Sequence, residues 1–513
     1  MQAGDCALQT MARSAALSPM PMPTPIPLPL PPIAGREAEL QALMAQPGPP
    51  TVSAISPPLE TIRSAFACAL HMHQPTIPAG ADGGLISHLQ WMLEHPGQGD
   101  NHNAEPFAHC YRRLAELLPQ LIGEGCNPRI MLDYSGNLLW GFEQMGRHDI
   151  LAALRELAGN PALQPHVEWL GTFWSHAVAP STPIPDLKLQ IQAWQQHFAG
   201  LFGDAALERV RGFSPPEMAL PNHPDTLYAF VSALRECGYR WLLVQEHSVE
   251  NPDGTPLSRE QALLPNLLVA RSSSGAVATI TALIKTQGSD TKLVGQMQPC
   301  YEALSLNRQQ LGNRVVPPLV SQIADGENGG VMMNEFPQAF IQAHQRLASA
   351  GPVAEGATVA LNGSEYLDLL GAAGVSEADL PPIQAVQQHR LWRYREANGA
   401  DPFDVAAAIA DLQADDPSFA MTGASWTNNL SWVEGYANVL EPMNQLSARF
   451  HQHFDPLVAA DPAITATAAY QEALLHLLLL ETSCFRYWGQ GRWTDYAREI
   501  HRQGLAAIAA AGG

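Results

Sequence analysis

From Ala65 to about Glu355, short apolar runs alternate with stretches whose apolar residues recur at three- and four-residue spacing. That alternation is the signature of parallel β/α architecture, in which each strand is followed by a helix that packs back on the sheet. The runs predicted as strands are Ala65–Met72, Arg129–Tyr134, Val167–Phe173, Arg209–Phe213, Tyr239–Val244, Val277–Ile284 and Leu319–Ala324. They are one short of the eight strands of the familiar closed barrel.

Beyond Glu355 the strand signals fade. Val433–Phe450 and Ala466–Arg486 carry apolar residues at helical spacing, and Pro381, Pro382, Pro402 and Pro417 punctuate the approach to them. The N-terminus is apolar but interrupted by prolines from Pro19 to Pro32, a pattern that favours an extended polyproline conformation over a secretory signal helix. Three segments are therefore expected: a disordered proline-rich leader over 1–62, a catalytic β/α barrel over 63–355, and a C-terminal helical domain over 356–513. No internal repeat is evident.

Composition narrows the function classes. A net charge of −21 over 513 residues argues against a protein that grips nucleic acid or anionic lipid, since both need basic surface. A neutral polymer such as a glucan remains acceptable. Seven cysteines, Cys6, Cys68, Cys110, Cys126, Cys237, Cys300 and Cys484, are scattered without a Cys-x-x-Cys pair, which fits free thiols in a reducing cytoplasm. The longest aliphatic run, Leu477–Leu480, is far below the ~20 residues of a membrane-spanning helix. Oligomeric state is not legible.

Polar, ionisable or aromatic residues stand at the C-terminal ends of most predicted strands: His71 and His73, Tyr134, Trp174 and His176, Glu217, Gln245 to His247, and Asp325. In barrel enzymes that end of the strands carries the active site. In "LHMHQP", strand alternation sends His71 and His73 to one face and Pro75 ends the run; a hydrogen-bonded pair of core histidines is the plain alternative. "GFSPPEMALP" places Glu217 beyond a strand between stiffening prolines, as a catalytic carboxylate or a helix-capping surface group. "PPLVSQIADGENGG" runs a strand into Asp325, which alone could be an Asp-Gly turn. Two facing carboxylates are what glycosidic cleavage requires, one to attack the anomeric carbon and one to protonate the leaving oxygen. Trp174, Trp426 and Trp432 are candidate stacking faces for sugar rings.

In this order the motifs resemble glycoside hydrolase family 57, over roughly Phe66 to Trp493. "HMHQP" is similar to the family's opening His-Gln-Pro region, and "GTFWSHAVAP" to its second region. "FSPPEMALP" resembles the region of the nucleophilic glutamate, and "ADGENGG" that of the acid/base aspartate. "GASWTNNLSWVEG" resembles the segment that closes the cleft from the C-terminal side. The resemblance implies an α/β fold, an incomplete (β/α)7 barrel followed by a helical bundle, and retaining action on α-1,4- or α-1,6-linked glucans. No cofactor and no obligatory metal are implied. Glu217 would be the nucleophile and Asp325 the acid/base, with His71, His73, Gln74, Trp174, His176, His247, Trp426, Asn428 and Trp432 as substrate-binding residues. Two departures bear on substrate choice: Gly329 and Gly330 follow the Asp-Gly-Glu-Asn run where many relatives have an aromatic residue, and Ala177 follows His176 where the pattern has proline.

Two other readings use the same residues. A metal-dependent amidohydrolase would take the His-x-His pair, His176, His247 and Asp325 as a zinc site, leaving Glu217 and the "GASWTNN" segment without a role. A glucan-binding pseudoenzyme would keep the cleft without turnover, against which both carboxylates are present.

Overall fold

The computed structural model describes residues 30–286, 292–327, 335–350, 356–399, 403–425, 437–487 and 491–512. Residues 31–513 form one compact unit. Seven strands close into a barrel: β1 Ile62–Met72, β2 Ile130–Tyr134, β3 Val167–Gly171, β4 Gly212–Phe213, β5 Trp241–Gln245, β6 Val277–Lys285 and β7 Leu319–Asp325. Every neighbouring pair is parallel, and β7 pairs with both β1 and β6 to complete the ring. Each of the seven runs expected from the sequence supplies one of these strands.

The strands are buried along almost their whole length, because helices cover the outer face while side chains fill the interior. One core cluster contains Ala65, Ala67 and Ala69 of β1, Met131 of β2, Leu170 of β3, Trp241 and Leu243 of β5, Leu283 of β6, and Leu319 and Ile323 of β7. These residues recur with period two along their strands, as inward-facing positions must. The residue two places beyond the last of them shares that face at the barrel mouth. It is His71 on β1, Asp133 on β2, Gln245 on β5, Lys285 on β6 and Asp325 on β7. The sequence thus caps an apolar barrel with a ring of polar side chains.

The segment expected to be a disordered leader is structured well before residue 62. Helix Glu37–Met44 buries Leu40 and Met44, and the Met44 carbonyl accepts from Arg211 Nη1 at 2.6 Å. At the other boundary, strand Ala357–Ala360 pairs in parallel with the start of β1. The chain past residue 355 therefore first adds a strand to the barrel sheet before turning helical. Helices Ala437–Ala460, Ala468–Leu480 and Arg492–Ala511 make the C-terminal part, and Leu474 to Leu480 of the second are all buried, the polar His476 among them. This bundle is tied to the barrel helix Ile184–Phe202 by His451 Nε2 to Asp186 Oδ1 at 2.6 Å and by Gln190 Nε2 to Glu481 Oε2 at 2.6 Å. Among the described residues no helix is long and apolar enough to cross a membrane.

Candidate active site

A cleft at the C-terminal mouth of the barrel is lined by His71, Asp133, Ser214, Pro215, Glu217, Met218, Lys285, Ile323, Ala324 and Asp325. Sheet register sets much of it. His71 is paired with Asp325 on one side and with Asp133 on the other, so a carboxylate, an imidazole and a carboxylate lie in a row across β7, β1 and β2. His71 Nδ1 is 3.0 Å from Asp133 Oδ2.

Glu217 reaches the cleft by a different route. It lies in a short 3-10 turn, Pro216–Met218, directly after β4, with φ of 59° at Glu217 and 50° at Met218. Two consecutive non-glycine residues in left-handed backbone cost roughly 1–2 kcal/mol each, and such conformations persist where surrounding structure enforces them, commonly at functional sites. Here Pro215 and Pro216 precede Glu217, the Met218 N–H donates to the Pro215 carbonyl, and the backbones of Leu220 and Ala424 form a two-way bridge just beyond the turn. Prolines that fix the approach explain why a carboxylate can be held in this geometry.

Three imidazoles stack beside the carboxylates. The ring of His176 lies 4.5 Å from that of His71 and 4.1 Å from that of His73, with interplanar angles of 27° and 14°. Their charges differ. Burial works against protonation of His71, but Asp133, then Asp325 and Glu327, outweigh it and lift the group to about 10. Burial, and then the neighbouring histidines, hold His73 and His176 well below the usual histidine range, so both are neutral. His73 Nδ1 is 2.8 Å from Ser135 Oγ, and its Nε2 is 3.4 Å from Cys484 Sγ. His176, itself at a φ of 64°, places Nδ1 2.7 Å from Ser483 Oγ. Glu217 Oε1 lies 3.9 Å from the same nitrogen; with a neutral imidazole this is a contact and not an ion pair.

Two residues complete the electrostatics. Lys285 is buried at the end of β6, and burial, opposed by Glu246, lowers its ammonium to about 8. Glu327, 3% exposed beneath the cleft, accepts the His73 N–H at 2.8 Å. Burial pushes its carboxyl up to about 8 although His71 and the His73 N–H pull it down.

The structure thus brings Glu217, Asp325, His71, His73 and His176 into one site. Gln74 sits to the side, buried, with Oε1 3.1 Å from His88 Nδ1. His247 directs Nε2 to the carbonyl of Ser425, away from the lining of the cleft. Trp174, expected as a stacking face, is 0% exposed, donates from Nε1 to His197 Nδ1 at 3.1 Å, and lies so close over Gly136 that a Cβ there would be 2.1 Å from the indole. It is a packing residue, because the helix starting at Gly136 takes the face a sugar would need. Trp426, Asn428 and Trp432 lie outside the described residues, as do Gly329 and Gly330. Asp133, Lys285 and Glu327 were not singled out in the sequence, although a count of two from Met131 and Leu283 leads to the first two. Among the described residues no group of three or more His, Cys, Asp or Glu side chains is arranged to hold a metal ion.

No family model and no curated protein matches the chain. Solved structures do. The 4-alpha-glucanotransferase of Thermococcus litoralis superposes with a TM-score of 0.51 and 16% identity over 87% of this chain and 59% of that one. A GH57 branching enzyme of Thermococcus kodakaraensis superposes with a TM-score of 0.50 and 12% identity, over 87% of this chain and 88% of that one. This chain spans about three fifths of the glucanotransferase's length. At these identities the likeness is one of fold, and the fold of this chain is that of the family 57 enzymes.

Proposed function

We propose that the protein is a retaining glycoside hydrolase or transglycosylase acting on α-1,4- or α-1,6-linked glucans by double displacement. The observation that carries the reading is the convergence of Glu217 and Asp325 on one cleft at the C-terminal mouth of a barrel, with Glu217 held in left-handed backbone. Glucan activity of the two similarly folded enzymes is consistent with it.

In the first half-reaction a carboxylate oxygen of Glu217 bonds to the anomeric carbon as the C–O bond to the leaving sugar breaks. Asp325 gives its proton to the departing glycosidic oxygen. In the second, Asp325 takes a proton from water or from an acceptor hydroxyl, whose oxygen displaces Glu217 and restores the α configuration. The neutral imidazole of His176, whose Nδ1 is engaged by Ser483, keeps Nε2 to donate or accept a hydrogen bond with a sugar hydroxyl without adding charge beside a developing oxocarbenium ion.

The test is a product profile from the purified protein on maltoheptaose and on a branched α-glucan, beside Glu217→Gln. Shorter maltosaccharides released as the α anomer are expected for hydrolysis, and products longer than the substrate for transfer. The Gln variant should fold normally and lose turnover by on the order of 10³-fold or more. Binding of either glucan with no product from the wild type would replace this reading by that of a glucan-binding protein without turnover.

A further inference from the structure

Asp133 belongs to no motif and is given no part in the two half-reactions, yet its placement is specific. It is 1% exposed on β2 and lines the cleft, with His71 Nδ1 3.0 Å away as its charged neighbour. The pairing of β2 with β1 and of β1 with β7 puts His71 between Asp133 and Asp325. An imidazole with a buried carboxylate 3.0 Å from Nδ1 favours the protonated form.

We propose that Asp133 is a positioning residue for the reaction: from 3.0 Å beyond Nδ1 it holds His71 as an imidazolium between itself and Asp325, a fixed cation beside the acid. The proposal rests on the assignment of Asp325 as acid/base. Its physical basis is the order of charges along the row. A fixed cation beside the acid offsets the negative charge that appears as the proton passes to the leaving oxygen, whereas Asp133 meets that charge only from one strand further away.

The other charged and titratable groups around His71 do not take over this role. His73, on its own chain segment, and His176, stacked on it from the chain after β3, are both held neutral by burial. Glu327, beyond β7, adds attraction to His71 only once its own buried carboxyl has ionised, at about 8. Glu217 lies 3.9 Å from His176 Nδ1, and Lys285 lines the cleft from β6. Of the carboxylates acting on His71, Asp133 is the foremost, ahead of Asp325 and Glu327.

The first measurement follows the ring carbons of His71 by NMR as a function of pH in the full-length protein, with Asp133→Asn for comparison and His71→Asn to assign the signal. His71 is expected to stay charged through pH 8 in the wild type and to be neutral at pH 7 in Asp133→Asn. A His71 already neutral at pH 7 in the wild type overturns the proposal whether or not the variant folds. The second measurement is the pH dependence of kcat/KM on maltoheptaose. In Asp133→Asn kcat/KM at pH 7 should fall by roughly tenfold, because the charge developing beside His71 loses its neighbouring cation, and the deficit should narrow at acid pH, where His71 regains its proton. Asp133→Glu, which restores the carboxylate, should bring kcat/KM at pH 7 back toward the wild-type value. No deficit, or a deficit that is equal at every pH, overturns the proposal. A wild type inactive on every α-glucan instead defeats the assignment of function, and the NMR titration still decides the state of His71.

Discussion

Glu327 is a carboxyl group buried beneath the cleft floor, within 3.4 Å of Tyr111 Oη and accepting the backbone N–H of His73. Burial holds its proton to about pH 8, whereas in an unfolded chain a glutamate loses it near pH ~4.3. Between those values the native state binds a proton that the unfolded state has released, so stability is full below the window and falls as pH rises through it. Glu327→Gln mimics the protonated side chain and removes the titration, leaving Asp133 and Asp325 beside His71. Melting temperatures of both proteins at pH 5 and pH 8 should show the wild type losing ground to the variant on the alkaline side. A difference that stays constant with pH would mean that Glu327 is ionised in the native protein. At this scale the sequence showed what motif and strand-end position could show, namely Glu217, Asp325 and the three stacked histidines. It did not separate Trp174 from a true cleft aromatic, since that depends on the approach of helix Gly136–Gln144 from a distant part of the chain.

The barrel strands were legible because buried parallel strands are continuous apolar runs bounded by turn residues, and seven such runs gave seven strands. Their ends were less so. The run expected at Arg209–Phe213 is paired only at Gly212–Phe213, as the Arg211 guanidinium turns to the carbonyls of Met44 and Gly238 and the Arg211 carbonyl accepts from Arg240. This shortest strand depends on Gly212 for space. A Cβ there would lie 2.2 Å from the Trp241 indole on β5, and one on Gly363 would meet the same ring at 2.3 Å, so the indole is wedged between two glycines. Its Nε1 is further fixed by Ser364 Oγ at 2.8 Å. Gly212→Ala should therefore act as an overpacking substitution costing about 1–3 kcal/mol, read as a lower urea midpoint with an unchanged slope. A midpoint equal to that of the wild type would show that the ring can move aside. Because β4 leads directly into the Glu217 turn, the same variant tests how tightly that turn depends on the strand before it.

For the molecule as a whole, the C-terminal part reaches the candidate site and is not an appendage to the barrel. The sequence pointed to their participation through Trp426, Asn428 and Trp432; the contacts seen among described residues come instead from Ser483 and Cys484, which touch His176 and His73. Nothing in the run "LLLLETSCF" suggests cleft chemistry, because the relevance of those two side chains exists only once the bundle has docked. Docking is secured nearby by Arg486, 1% exposed, which bonds the carbonyls of Val178 and Glu481 and the Thr182 hydroxyl at 2.8–3.1 Å. The two residues should fail in different ways when removed. Ser483→Ala leaves the Ser483 N–H on the His176 carbonyl and the Ala177–Thr482 bridge intact, so the backbone stays docked while Nδ1 loses its hydroxyl partner. A neutral hydrogen bond is worth about 1 kcal/mol, so kcat/KM on maltoheptaose should fall by about fivefold with little change in melting temperature. Arg486→Met strands several buried acceptors, each costing about 1–3 kcal/mol, and should lower the melting temperature before it alters catalysis at temperatures where it is folded. A Ser483→Ala variant with unaltered kcat/KM would mean that His176 is oriented by the barrel alone, its ring held by the stack with His71 and His73.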